Sequence, residues 1–319
     1  MIEIILAQPR GFCTGVTRSI RMVEDVIQNR GAPVYVLHEI VHNRHVCDRL
    51  KRKGTIFVEC LDEVPPGAII IFSAHGVSRA VFEDAASRGL AVFDATCPMV
   101  QKIHLMAERF SREGKEVIII GNAGHPEVEG TLGRLNGPAH IISSVKEAEA
   151  LQVKYPRRLA YITQTTQGLT TAIRIASILK KRFPEIKGPG ADSICNATKS
   201  RQDAIHLLTP EVDLILVVGS HNSSNSNRLC EIGKNTGIPS FLIEDASELD
   251  EGLLSGIRKI GITAGASTPE FLVRGVLDKI MLYRNVRIKE MDNSQIISRR
   301  KSLANIDVTE SKGRITYLQ

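Results

Sequence analysis

The chain has no tryptophan, and only 4% of its 319 residues are aromatic. That leaves little surface on which nucleobases could stack, so nucleic-acid binding is not expected. No window approaches the roughly 18 consecutive apolar residues that a membrane-spanning helix requires, and no membrane partner is expected either. The opening MIEIILAQPR has no basic leader and no small-residue cleavage site. It reads as a short strand running into a loop, with the cytoplasm as the expected compartment. A Walker-A run and a G-x-G-x-x-G fingerprint are both missing, so a nucleotide cofactor is not indicated. Six cysteines are present without a single C-x-x-C pair, which removes zinc-ribbon and thioredoxin arrangements. In a cytoplasmic chain they are not to be read as three disulfides.

What remains is an ordinary globular composition, 43% hydrophobic and 24% charged, in a chain long enough for two or three compact lobes. The net charge of +6 is scattered. The short runs Lys51-Arg52-Lys53 and Arg299-Arg300-Lys301 read as solvated faces. A mildly positive surface suits an acidic protein or an anionic small molecule.

The chain repeats itself three times. Cys13, Cys97 and Cys195 each stand just before an amphipathic helical stretch, and Pro98 suits a first helical turn. After each helix comes a run rich in β-branched residues: PVYVLHEI, EVIIIG and DLILVVG. Such unbroken apolar runs are expected of buried parallel strands. Each ends in a polar cluster, and His42, His125 and Ser223 follow their cysteines by 29, 28 and 28 residues. A second strand follows in each unit, AIIIFSAHG, LAYITQTTQG and KIGITAGAST. Its tip carries His75, Thr165 and Ser267, at offsets of 62, 68 and 72 residues. The expected fold class is therefore α/β, with three pseudo-threefold-related lobes of mostly parallel sheet around a central site. The expected bounds are an N-terminal strand and loop at 1–13, lobes at 14–97, 98–192 and 193–283, and a polar tail at 284–319. In parallel sheets ligands bind at the carboxyl ends of strands, which would gather thiols and polar tips at one pocket.

A helix N-terminus favours a thiolate by less than about one pKa unit, whereas a bound metal ionises it outright. Three converging thiols therefore point to metal, and soft thiolates suit zinc, copper(I) or an iron–sulfur cluster. A [4Fe–4S] cluster usually takes four thiolates; three would leave one iron open to a substrate, as in an open catalytic zinc site. His42, His75 and His125 can donate to anionic oxygens, with Thr165, Thr166, Ser223, Ser224, Asn225 and Ser267 as neutral donors. Such a cage suits a phosphate or diphosphate. Glu127 is the one carboxylate beside it, and can act as a proton source, a helix cap or an outer ligand. Cys47, Cys60 and Cys230 fall outside the repeat and read as packing residues. His38, His45, His104, His206 and His221 read as structural or surface groups.

The motifs GFCTGV, HEIVHNR, FSAHGV, DATCP, GHPEVEG, TQTT, ICNAT, GSHNSSNSNRL and TAGAST occur in order from about residue 3 to 282. Together they resemble the LytB family, the 4-hydroxy-3-methylbut-2-enyl diphosphate reductases. The resemblance implies a two-electron reductive dehydroxylation of the allylic alcohol diphosphate to isopentenyl and dimethylallyl diphosphates, the last step of the methylerythritol phosphate route. It implies one [4Fe–4S] cluster per chain on Cys13, Cys97 and Cys195. It further implies diphosphate held by His42, His75, His125, Ser223, Ser224, Asn225 and Ser267, and a proton relayed by Glu127 with help from Thr165. Reduced ferredoxin or flavodoxin would donate the electrons to a monomer or weak homodimer. The stretch past 284 is the least family-like. Two other readings use the same residues: a zinc-dependent hydrolase on the three thiolates, and a non-enzymatic iron–sulfur or diphosphate sensor.

Overall fold

Three buried β-branched runs become the middle strands of three separate parallel sheets. In the computed structural model, which describes residues 1–189 and 193–292, the first lobe holds β2 (Val34–Leu37), β3 (Thr55–Val58), β4 (Ile69–Phe72) and β5 (Ala91–Asp94). The second holds β6 (Glu116–Ile120), β7 (Ala139–Ile142) and β8 (Leu159–Thr163), and the third β9 (Leu214–Val218), β10 (Ser240–Ile243) and β11 (Lys259–Ala264). Strand order repeats as β3-β2-β4, β7-β6-β8 and β10-β9-β11, with β5 extending the first sheet beyond β4. All of these pairings are parallel. Every residue of β6, β8 and β9 is buried, because helices cover both faces of such a sheet and leave no polar side. The fold class is therefore the three-lobed parallel α/β arrangement read from the repeat.

Each lobe is entered through a long helix: α1 (Thr14–Arg30), then, after α2 (Arg44–Arg52) and α3 (Arg79–Ser87), α4 (Pro98–Arg112). Then, past α5 (Pro126–Leu132), α6 (Val145–Ala150) and α7 (Leu169–Arg182), comes α8 (Asn196–Leu208), followed by α9 (Ser224–Asn235) and α10 (Glu270–Tyr283). Among the described residues no helix is long and apolar enough to cross a membrane.

The third sheet borrows strands from both ends of the described chain. β1 (Ile2–Leu6) pairs with β11 on one side and on the other with β12 (Val286–Glu290). The stretch from 284, which reads as a tail, thus opens with a strand. Its alternation, Val286-Arg287-Ile288-Lys289, is brief and sits in a polar stretch, and four of its five residues are exposed. Backbone pairing holds it, together with Lys289 on Glu3 at 2.9 Å and Arg10 bridging Glu290 and Glu270, each at 2.7 Å. The rest of that stretch, 293–319, including Arg299-Arg300-Lys301, lies outside the described residues.

Lobes one and two meet where small residues let backbone touch backbone. Arg134 donates through Nε and Nη2 to the Val77 carbonyl at 3.1 and 2.8 Å, and Arg79 N donates to the Gly133 carbonyl at 3.2 Å. A Cβ on Gly133 would sit 2.2 Å from Ser78 Cβ and 3.1 Å from its Cα, an overlap that no rotamer relieves. Gly133→Ala should therefore lower unfolding stability by about 1–3 kcal/mol, the usual range for overpacking, as measured by denaturant titration.

Candidate active site

The three cysteines occupy one structural position. Cys13, Cys97 and Cys195 are the capping residues at the starts of α1, α4 and α8. Each is also held by a backbone bond to a strand tip outside the lobe that its helix enters. Cys13 N donates to the Ala266 carbonyl beyond β11 at 3.1 Å, Cys97 N to that of Ala74 beyond β4 at 3.0 Å, and Cys195 N to that of Thr165 beyond β8 at 3.1 Å. The thiols share one cavity. A Cβ placed on Gly15 would lie 2.7 Å from Cys97 Sγ and 3.8 Å from Cys13 Sγ, so glycine is required where those two thiols approach α1. Burial pushes the Cys97 thiol up, backbone N–H bonds from Met99 and Val100 pull it down, and Cys13 and Cys195 raise it. Among the described residues no three His, Cys, Asp or Glu side chains are placed to share one metal ion. A lone tetrahedral zinc, with Zn–S bonds of about 2.3 Å, would need its thiolates about 3.8 Å apart.

The residue after each accepting carbonyl points to the same cavity: His75 after Ala74, Ser267 after Ala266, and Thr166 after Thr165. Thr166, rather than Thr165, is therefore the second lobe's counterpart of His75 and Ser267. Counting from the cysteine centres that tip one residue early because the intervening loops differ in length. The first-strand tips complete the rim, since Asn43, His125 and Ser223 cap α2, α5 and α9.

The three histidines form a cluster. His42 and His75 stack with ring centres 4.2 Å apart, and His125 stands edge-on to them at 5.4 and 5.8 Å. His125 Nδ1 accepts from Glu127 N at 3.1 Å, which requires a bare Nδ1 and leaves the proton on Nε2. Its pKa is pushed down to about 4, by burial first and then by His42. Burial, followed by the charges of His42, His125 and His38, likewise holds His75 well below the usual histidine range. His42 Nδ1 meets Glu39 at 3.1 Å. Its Nε2 is buried without a partner among the described residues, as are both side-chain polar atoms of Asn225. Buried polar atoms are seldom left so, and these line the cavity. Ser223, Ser224 and Ser267 line it too. Ser224 Oγ accepts from Gln164 Nε2 at 3.3 Å, while Ser267 Oγ donates to the His42 carbonyl at 3.0 Å. Ser267 is thus a tie between lobes one and three as well as a lining group.

Glu127 is 3% exposed and Thr165 5%. Thr165 donates to the carboxyl twice, through its N–H at 2.6 Å and its hydroxyl at 2.9 Å. Those bonds favour the carboxylate, yet burial outweighs them and raises the pKa to about 7.

Every site residue expected from the sequence lines this one cavity. The remaining thiols do not. Cys47 and Cys230 are packed in hydrophobic clusters, and burial pushes the Cys47 thiol up to about 12. Cys60 departs from the packing reading. It is exposed, at the start of the short turn Leu61–Glu63, where Glu63 bonds its backbone. His38, His45 and His221 pair with surface carboxylates, and His104 is packed under Gly76.

A raised carboxyl pKa has a consequence for stability. Between about pH 4.5 and 7 the folded chain binds more protons at Glu127 than the unfolded chain does, so this group's contribution falls as pH rises. Glu127→Gln keeps the acceptor for Thr165 N and removes the charge. Unfolding titrations should show the variant gaining on the parent protein between pH 5 and 8, by on the order of 3 kcal/mol at full ionisation. A pH-independent difference would contradict the shift.

Residues 4–281 match the sequence profile of the family described as LytB protein. A 4-hydroxy-3-methylbut-2-enyl diphosphate reductase from Azoarcus sp. is 50% identical over 290 residues, which cover 91% of this chain and 93% of that protein. Its counterpart from Zymomonas mobilis is 51% identical over 292 residues, covering 92% and 86%. Among solved structures, the E-1-hydroxy-2-methyl-but-2-enyl-4-diphosphate reductase from Plasmodium falciparum aligns with a TM-score of 0.87 at 34% identity, covering 95% of this chain and 99% of that one. A second, an (E)-4-hydroxy-3-methyl-but-2-enyl diphosphate reductase described as the terminal enzyme of the non-mevalonate pathway, aligns at 0.62 with 33% identity over 88% and 100%. With the profile matched over most of its length and relatives half identical nearly end to end, the chain belongs to the LytB family.

Proposed function

We infer that the chain is a 4-hydroxy-3-methylbut-2-enyl diphosphate reductase. It takes the hydroxyl from (E)-4-hydroxy-3-methylbut-2-enyl diphosphate with two electrons and two protons, releasing water. The products are isopentenyl and dimethylallyl diphosphates, and the step is the last of the methylerythritol phosphate route. The observation that carries this reading is one cavity lined by three thiols, a carboxyl poised near neutrality, and unpartnered polar groups.

The three thiols are soft donors at the starts of three helices, which fits one [4Fe–4S] cluster on Cys13, Cys97 and Cys195. When bound, such a cluster supplies electrons singly and offers one iron without a protein ligand. The chain's own residues do the rest. His42 Nε2, the Nε2–H of His125, and His75 face the anionic end of the substrate with the Asn225 amide and the hydroxyls of Ser223 and Ser224. Hydrogen bonds to such charged oxygens contribute about 1.5–3 kcal/mol each. Ser267 joins them by releasing its bond to the His42 carbonyl.

Glu127 and Thr165 supply the proton. While Glu127 is ionised, the Thr165 hydroxyl donates to Oε2. Protonating Oε2 reverses that bond and frees the Thr165 O–H to turn into the cavity, so Thr165 passes a proton on as Glu127 replaces it. A pKa of about 7 keeps both states populated near neutrality. For the electron donor, reduced ferredoxin or flavodoxin, the support is the net charge of +6 and a groove beside α1. Arg18, Arg21 and Arg30 line that groove, and it reaches Cys13.

Protein purified without oxygen should contain iron and acid-labile sulfide, and should turn over the diphosphate substrate with a chemical reductant. Zinc without sulfide would favour the hydrolase instead. Glu127→Gln should lower kcat by about 10²–10⁴, the range for a lost general acid, while inorganic diphosphate still binds in calorimetry. Undiminished turnover in that variant removes the proton-relay assignment.

A further inference from the structure

Arg201 sits in α8 at 3% exposure, where a lone guanidinium is costly unless an anion faces it. Among the described residues no carboxylate pairs with it. The ionisable groups that act on it are the thiols of Cys13 and Cys195, which favour its charged form against the opposing effect of burial. Because guanidinium does not give up its proton in proteins, the site contains a permanent positive charge. Its placement is over-determined. Nη1 donates to the Ala197 carbonyl at 2.8 Å, in the first turn after Cys195. Nη2 donates to the Gly11 carbonyl, in the turn before Cys13. Gly11 adopts φ +69°, and a Cβ there would lie 3.2 Å from the Thr268 carbonyl oxygen, so a side chain would strain this turn. Nε remains buried with no partner among the described residues.

We propose that Arg201 is the positioning residue of the thiol centre: it ties the Cys13 loop to the Cys195 helix and sets a buried positive charge against the thiolates. The assignment rests on the reductase reading above. Reduction adds negative charge to whatever the thiolates hold, and a fixed cation nearby favours the reduced form. Lysine would keep the charge without the planar fork; glutamine would keep some hydrogen bonding without the charge.

The test is a redox titration of the anaerobically loaded protein, followed by electron paramagnetic resonance, with iron and sulfide counted in each variant. Arg201→Gln should shift the midpoint potential downward at near-parental iron content, and Arg201→Lys should restore most of the shift. Equal midpoints in Arg201→Gln and the parent overturn the charge assignment. If Arg201→Gln takes up no iron, Arg201→Lys decides. A loaded protein with a parental midpoint supports the assignment, and loss of iron there too assigns Arg201 to backbone support alone, which overturns it. Parent protein free of iron and sulfide defeats the reductase reading itself, and this assignment with it.

Discussion

Three equivalent backbone hydrogen bonds hold the site together. In each, a cysteine N–H at the start of one lobe's helix meets a carbonyl at a strand tip of the lobe before it: Cys97 to Ala74, Cys195 to Thr165, and Cys13 to Ala266. The pattern is cyclic, so lobe one grips lobe two, lobe two grips lobe three, and lobe three returns to the start of lobe one. It is the head-to-tail contact of a closed ring made within one chain. Thiols and polar tips share a cavity because the bond that sets each cysteine also sets the residue beside its acceptor.

That construction sorts the site by chemistry. The thiols stand at helix starts, with a buried guanidinium behind two of them. The tips carry groups that donate or accept but hold little charge of their own: His75 and His125 are kept neutral by burial. Glu127 is the exception. The same burial that neutralises the histidines holds its proton on at a higher pH. One physical cause, loss of water, thus acts in opposite senses on acids and bases, and leaves neutral imidazoles beside a carboxyl that holds its proton near neutrality.

Much of this was legible in the sequence because the repeat is written in residue types that packing does not require. Buried runs such as DLILVVG appear as strands, and their polar ends appear as tips. What the sequence hid lies where spacing or hydrophobic pattern carries no signal. The equivalence of Thr166 to His75 and Ser267 was masked by loops of unequal length, and follows only from the bond of Cys195 N to the Thr165 carbonyl. β12 was masked because its alternation spans only Val286 to Lys289 within a polar, charge-mixed stretch, and as an edge strand it buries little. Arg201 was masked because a lone arginine in a helical run reads as surface, and its burial depends on a turn 190 residues away. Ser267 was found, but its bond to the His42 carbonyl was not, since a hydroxyl's direction cannot be read from order along the chain.

The place of β1 has a consequence for how the molecule is made. IEIIL precedes the other described strands, yet its neighbours are β11 and β12, more than 250 residues later. During synthesis the first two sheets can form from strands near one another in sequence, while this apolar strand stays unpaired until the third lobe emerges. The ring of lobes therefore closes last at β1. Cys13, seven residues past β1, gains its bond to the Ala266 carbonyl only with the final lobe, so the thiol site is completed last.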